Sequence, residues 1–80
     1  MKAKIYSKNN CTYCTQAKLL MDMRGIEYQE VNIDNDPSAK ETLLTECAEI
    51  GVVPRTAPQI WLEDKYLGGF QELKAELDSM

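Results

Sequence analysis

Short stretches of alternating and helically spaced apolar residues divide the 80-residue chain into seven elements. Lys2 to Ser7 alternates polar and apolar residues around Ile5, the pattern of a half-buried strand. Lys8-Asn9-Asn10 reads as a turn. From Cys11 to Arg24, Ala17, Leu20 and Met21 form an apolar stripe, broadened by Leu19 and Met23. Thr15, Gln16, Lys18 and Asp22 occupy the other side, and Gly25 stops the helix. Ile26 to Ile33 alternates again, through Tyr28, Val31 and Ile33, and predicts a second strand.

Asp36-Pro37 is a helix start: a capping carboxylate followed by proline at the first helical position. Leu43, Leu44, Cys47 and Ile50 then fall on one helical face, which makes Cys47 a buried structural thiol, and Gly51 ends the helix. Val52 to Thr56 is a loop. Pro58 to Leu62 and Lys65 to Leu67 form a strand pair around the Glu63-Asp64 turn, with Trp61 and Leu62 as packing residues. Gly68-Gly69 breaks the chain, and Phe70 to Leu77 is a last helix with Leu73 and Leu77 inward. The order is β-α-β-α-β-β-α. A helix between the first two strands implies a parallel crossover, and the final pair an antiparallel hairpin. The expected fold class is α/β, with three helices on a four-stranded mixed sheet in one domain, residues 1–80.

Composition narrows the function classes. A chain this short buries only about 60% of the surface that its unfolded form exposes. Three cysteines, two of them three positions apart, cannot staple it as a disulfide framework. No stretch resembles a signal peptide, and none approaches the roughly 20 apolar residues of a membrane span. A reducing cytoplasm is the expected compartment, where a close cysteine pair is more often catalytic or metal-binding than structural. The net charge of −4 argues against nucleic acid as the main partner. Residues 1–21 carry four lysines and no acid, so the cysteine pair sits in the only locally positive part of the chain.

Cys11-Thr12-Tyr13-Cys14 has three readings. A zinc site needs four ligands, and this chain has no histidine and one other cysteine. A purely structural disulfide here closes a very short loop and contributes at most about 2 kcal/mol. The redox reading uses the placement. Cys11 falls where the first strand ends and the first helix begins, and the unpaired amides and positive dipole end there stabilise a thiolate. A low-pKa thiolate loses some intrinsic nucleophilicity but becomes a better leaving group when its mixed disulfide is resolved. Cys14, one turn into the helix, is close enough to resolve that intermediate and more sheltered.

Together with Ile5-Tyr6-Ser7-Lys8 and Cys11-Thr12-Tyr13-Cys14, the segments Thr56-Ala57-Pro58-Gln59-Ile60-Trp61 and Gly68-Gly69-Phe70 resemble a dithiol glutaredoxin. The family's usual patterns are C-P-Y-C, T-V-P-Q-[IV]-F and G-G-[YF], and the resemblance spans nearly the whole chain. The Trp-Cys-Gly-Pro-Cys pattern of thioredoxins is absent. The resemblance implies a thioredoxin-like fold and a glutathione-dependent oxidoreductase, with Cys11 as nucleophile and Cys14 as resolving thiol. It implies that Tyr13 shields the pair and that Pro58 is a cis-proline turning the Ala57 backbone toward Cys11, where that backbone pairs with the glutathione cysteine.

Lys8, with Arg55 as a second anchor, matches the cation for the glycine carboxylate, and Thr56 matches a groove hydroxyl. Gly69, Phe70, Gln71 and Glu72 match the turn that holds the γ-glutamyl carboxylate, with the Glu72 side chain reaching the ammonium. Glutathione is the expected co-substrate and no metal is expected. The expected partners are disulfide-containing or glutathionylated proteins, ribonucleotide reductase among them by analogy, for a monomer that binds neither nucleic acid nor membrane.

Two departures stand out. Ala57 replaces the usual valine, where the contact is through backbone. Thr12 replaces the usual proline, which leaves open both the redox potential and a [2Fe–2S] cluster-carrier reading in which Cys11 and glutathione ligate a bridging cluster. Recharging by thioredoxin reductase instead of glutathione is the other alternative.

Overall fold

The computed structural model describes residues 1–80 and contains the seven elements in the expected order. They are β1 (Lys2–Ser7), α1 (Thr12–Met23), β2 (Glu27–Asn32), α2 (Pro37–Glu49), β3 (Gln59–Leu62), β4 (Lys65–Gly68) and α3 (Phe70–Asp78). The sheet runs β2-β1-β3-β4, with β2 parallel to β1 and the two later strands antiparallel to their neighbours. The β3–β4 hairpin turns on Glu63 and Asp64, both left-handed at φ 49° and 65°, as a two-residue turn matched to strand twist requires.

Strand alternation sends Ala3 and Ile5 to one face of the sheet and Tyr6 to the other. The first face packs with Ile60 and Leu62 against Ala17 and Met21 of α1 and Leu73 and Leu77 of α3, and is the main core. The second face seats α2 through Leu43 and Cys47, which close over Tyr6 with Val31, Ile33, Val52 and Trp61 alongside. This second seat is narrow. Only the Ala39–Leu43–Cys47 stripe of α2 is buried, and Leu44 and Ile50, expected on the inward face, are about half exposed. The apolar surface of α1 is likewise narrower than its sequence suggests. Cys14, Ala17 and Met21 point inward and Leu20 packs at the margin, whereas Leu19 and Met23 lie in solvent.

Local chemistry sets the element ends. The Asp36 carboxylate accepts from the Ser38 and Ala39 amides, at 3.1 and 3.4 Å, and Pro37 opens α2 as expected. On the other side of the sheet, β4 carries a bulge. Leu62 pairs with Lys65 and Trp61 with Tyr66, but Ile60 pairs with Gly68, so Leu67 is one residue more than β3 can match. A bulge bends its strand. Here it delivers Gly68 and Gly69 to the same end of the sheet as the β1–α1 turn.

Candidate active site

Asn10 leaves the turn after β1 with φ 56°, and Cys11 follows in extended conformation as the N-cap of α1. The capping atom is sulfur: the Cys14 backbone N–H donates to Cys11 Sγ at 3.1 Å. Serine, threonine or aspartate normally fills this position, because a side-chain acceptor satisfies one of the four orphan amides. A cysteine there directs a backbone donor and the positive end of the helix at its own sulfur. Cys11 and Cys14 are joined as a disulfide with their Cα atoms 5.2 Å apart. Cys11 is partly exposed, whereas Cys14 is only 2% exposed.

The loop before β3 lies against this pair. The Ala57–Pro58 peptide bond is cis, and the Ala57 carbonyl oxygen is 3.7 Å from Cys11 Sγ, where a reduced thiol would donate to it. Pro58 in turn abuts the start of α3, since a Cβ placed on Gly69 would stand 3.6 Å from the Pro58 carbonyl oxygen. Gly68 is left-handed at φ 119°, and a Cβ there would meet Glu72 Oε1 at 2.7 Å, so only glycine fits. Phe70, the first residue of α3, stacks in a tilted arrangement on Tyr13 with ring centroids 5.9 Å apart. Tyr13 is 54% exposed beside the cysteines. Cys11, Ala57, Pro58, Gly69, Phe70 and Tyr13 are thus linked neighbour to neighbour, although they come from three separate stretches of chain.

Other expected site residues are placed less closely. Lys8 is exposed, enters no ion pair, and lines a polar cleft of about 540 Å³ beside Cys11, together with Asn10, Thr15 and Lys18. Thr56 is exposed. Arg55 is exposed and makes no hydrogen bond or ion pair, and nothing ties it to the cysteines. Gln71 is exposed in the first turn of α3, where the N–H groups of Phe70, Gln71 and Glu72 have no intrahelical acceptor. The Glu72 side chain also caps the helix. Its Oε1 accepts the Gly69 N–H at 2.8 Å, so one carboxylate oxygen serves as a helix cap.

Three clusters of polar contacts escaped the sequence reading. The buried Ser7 hydroxyl and the Lys18 ammonium both donate to Glu30 Oε2, at 2.7 and 2.9 Å. The Ser7 bond, and then Lys18, hold the Glu30 carboxyl below its ordinary value. A second cluster fixes the turn that carries Lys8: Asn9 accepts from Asn32 and donates its backbone N–H to Asp34. The third joins Tyr66, Gln59 and Thr56. The first two span residues distant in sequence, and the third depends on the pairing of β3 with β4, so no local spacing announces them.

A strand-to-helix Cys-x-x-Cys disulfide, capping its own helix and faced by a cis-proline loop on a four-stranded mixed sheet, defines a thioredoxin-like thiol–disulfide oxidoreductase. Comparison with known proteins narrows the class. The glutaredoxin family model matches residues 3–67. Glutaredoxin 3 of Escherichia coli is 32% identical over 72 residues, which span 90% of this chain and 81% of that protein. The crystal structure of Francisella tularensis glutaredoxin 1, complexed with cacodylate, superposes with a TM-score of 0.78 at 38% identity, covering 98% of this chain and 93% of that one. A buckwheat glutaredoxin–glutathione complex gives 0.77 at 25% identity, covering 96% and 68%. The chain belongs to the glutaredoxin family.

Proposed function

We propose that this protein uses glutathione to reduce protein disulfides and glutathione-mixed disulfides, with Cys11 as the attacking thiolate and Cys14 as the resolving thiol. The observation that carries the proposal is Cys11 itself: the partly exposed sulfur of the pair is also the N-cap acceptor of α1 and lies against the Ala57 carbonyl.

In the forward step the Cys11 thiolate attacks the sulfur of a mixed disulfide that carries the glutathione moiety. A Cys11–glutathione disulfide forms and the partner leaves as its thiolate, which takes up a proton from water. Resolution follows by one of two routes. Free glutathione thiolate attacks and releases oxidised glutathione with Cys11 thiolate, or Cys14 attacks and forms the intramolecular disulfide. In the first route the helix N-terminus favours Cys11 as the leaving group; in the second Cys14, having given up its proton to water, bonds to Cys11 Sγ and glutathione leaves as its thiolate.

In this reading the Ala57 backbone pairs with the central cysteine of glutathione. The free amides at the start of α3 take the γ-glutamyl carboxylate, and Lys8 attracts the glycine carboxylate. The Tyr13–Phe70 stack walls the groove between them. The Glu72 cap fixes these α3 amides through Oε1, and its second carboxylate oxygen is left for the ligand ammonium. The setting is a reducing cytoplasm, the acting form a monomer, and ribonucleotide reductase is one client to test.

The test is a coupled assay offering glutathione plus glutathione reductase, against thioredoxin reductase alone. Turnover with glutathione is expected. Cys11→Ser should abolish activity on every disulfide, while Cys14→Ser should keep deglutathionylation and lose much of the protein-disulfide reduction. Turnover driven only by thioredoxin reductase would refute the glutathione assignment, and equal loss in both variants on a glutathionylated peptide would refute the division of roles.

A further inference from the structure

Two side chains outside this ring of neighbours act on it through a single carbonyl. Gln59, the first residue of β3, is 5% exposed and lies on the sheet face that carries Trp61. A buried amide is costly unless both its ends are paired. Both are: Gln59 Nε2 donates to the Thr56 carbonyl at 2.7 Å, and the Tyr66 hydroxyl on β4 donates to Gln59 Oε1 at 2.5 Å. The tyrosine fixes which way the amide faces, because an O–H donor requires the carbonyl end of glutamine and leaves the NH₂ end for Thr56. Burial pushes the Tyr66 phenol up, so it stays a donor across the working pH range.

The consequence lies one atom further along the chain. The Thr56–Ala57 peptide is trans, so its C=O and N–H point in opposite directions. With the Thr56 carbonyl drawn inward to a buried amide, the Ala57 N–H is turned outward. It makes no hydrogen bond within the chain. The next carbonyl, that of Ala57, faces Cys11 Sγ.

We propose that Gln59, locked by Tyr66, is a positioning residue that aims the Ala57 N–H out of the loop as the donor to the backbone of the glutathione cysteine. The inference rests on the glutathione reading above and adds to it the residues that set its central contact. Neither Gln59 nor Tyr66 touches the substrate. Their influence is confined to the orientation of one peptide plane.

Two variants test this. Tyr66→Phe keeps the ring that packs edge-on against Trp61, at 4.9 Å, and removes only the hydroxyl. Gln59→Met keeps the length of the side chain and removes both polar ends. In each, KM for a glutathionylated peptide should rise about five-fold with kcat little changed, the effect of one misaimed hydrogen bond of about 1 kcal/mol. The double variant should be no worse than Gln59→Met alone, because the two residues act along one path. Reduction of the Cys11–Cys14 disulfide by dithiothreitol, which needs no backbone donor, should proceed at the wild-type rate.

The Ala57 backbone amide signal, followed by NMR without ligand, should move in both variants. An unmoved Ala57 amide, or a loss confined to kcat, would overturn the proposal. Absence of glutathione turnover in the wild type would instead remove the glutathione reading, and the Ala57 amide signal would still decide whether Gln59 and Tyr66 set that peptide plane.

Discussion

Replacing Thr12 with proline puts the usual residue of the family's motif into this chain, and the structure sets what that does to stability. Thr12 is the first residue of α1, immediately after the Cys11 cap. Proline suits this position because its fixed φ is helical and the amide it lacks has no intrahelical acceptor. The Thr12 side chain is exposed and makes no hydrogen bond. Proline also constrains the residue before it to extended backbone, and Cys11 is already extended at φ −110° and ψ 103°. Its ψ lies just short of the favoured range, so a small local adjustment is needed.

The gain comes mainly from a stiffer unfolded chain and is about 0.4–1 kcal/mol. For a domain of this size that raises Tm by about 2–8 °C. The Cys14 N–H that caps Cys11 Sγ lies two residues beyond the substitution and survives it. Thermal unfolding of Thr12→Pro against the parent, each fully reduced and fully oxidised, is the assay. Any difference between the two gains displaces the thiol–disulfide equilibrium by about 30 mV per 1.4 kcal/mol, which a glutathione redox titration reads independently. A fall in Tm in both states would refute the placement of Thr12 at an unencumbered first helical position.

The acid limb of stability should depend on Glu30. Its carboxyl is held below the ordinary value by Ser7 and Lys18, so its contribution is present above that value and lost as pH falls through the folded one. Urea midpoints measured downward from neutral pH should therefore converge between wild type and Glu30→Gln, and parallel curves would refute the assignment. Cys47 is fully buried against Tyr6, and burial followed by the neighbouring Glu46 pushes its thiol up. In a Cys11→Ser/Cys14→Ser protein, maleimide should add to Cys47 only in denaturant. Stoichiometric labelling of the native form would show that the α2 seat is open.

Much of this protein is legible from spacing alone, and the reason is range. The strand alternations, the Asp36-Pro37 start of α2, the Glu63-Asp64 turn and the Cys11 cap of α1 each depend on residues within about one turn of one another. Their physics is complete in a short window of sequence. Other features wait on the fold. Leu19, Met23, Leu44 and Ile50 are as apolar as the residues that are buried, but a helix buries only the stripe its neighbours can seat, and the width of that seat is a property of the sheet.

The Glu72 contact with the Gly69 amide, at 2.8 Å, is by contrast local, since its partners stand three residues apart as in any capping box. Arg55 is a loop cation that no contact draws to the site. Gln59 and Tyr66 lie seven residues apart in sequence, and only the β3–β4 pairing makes them partners. Chain order supplied the cysteine pair and the helix that Cys11 caps. Tertiary packing decided what faces Cys11, because Ala57 lies 46 residues away and reaches its sulfur only through the antiparallel pairing of β1 with β3.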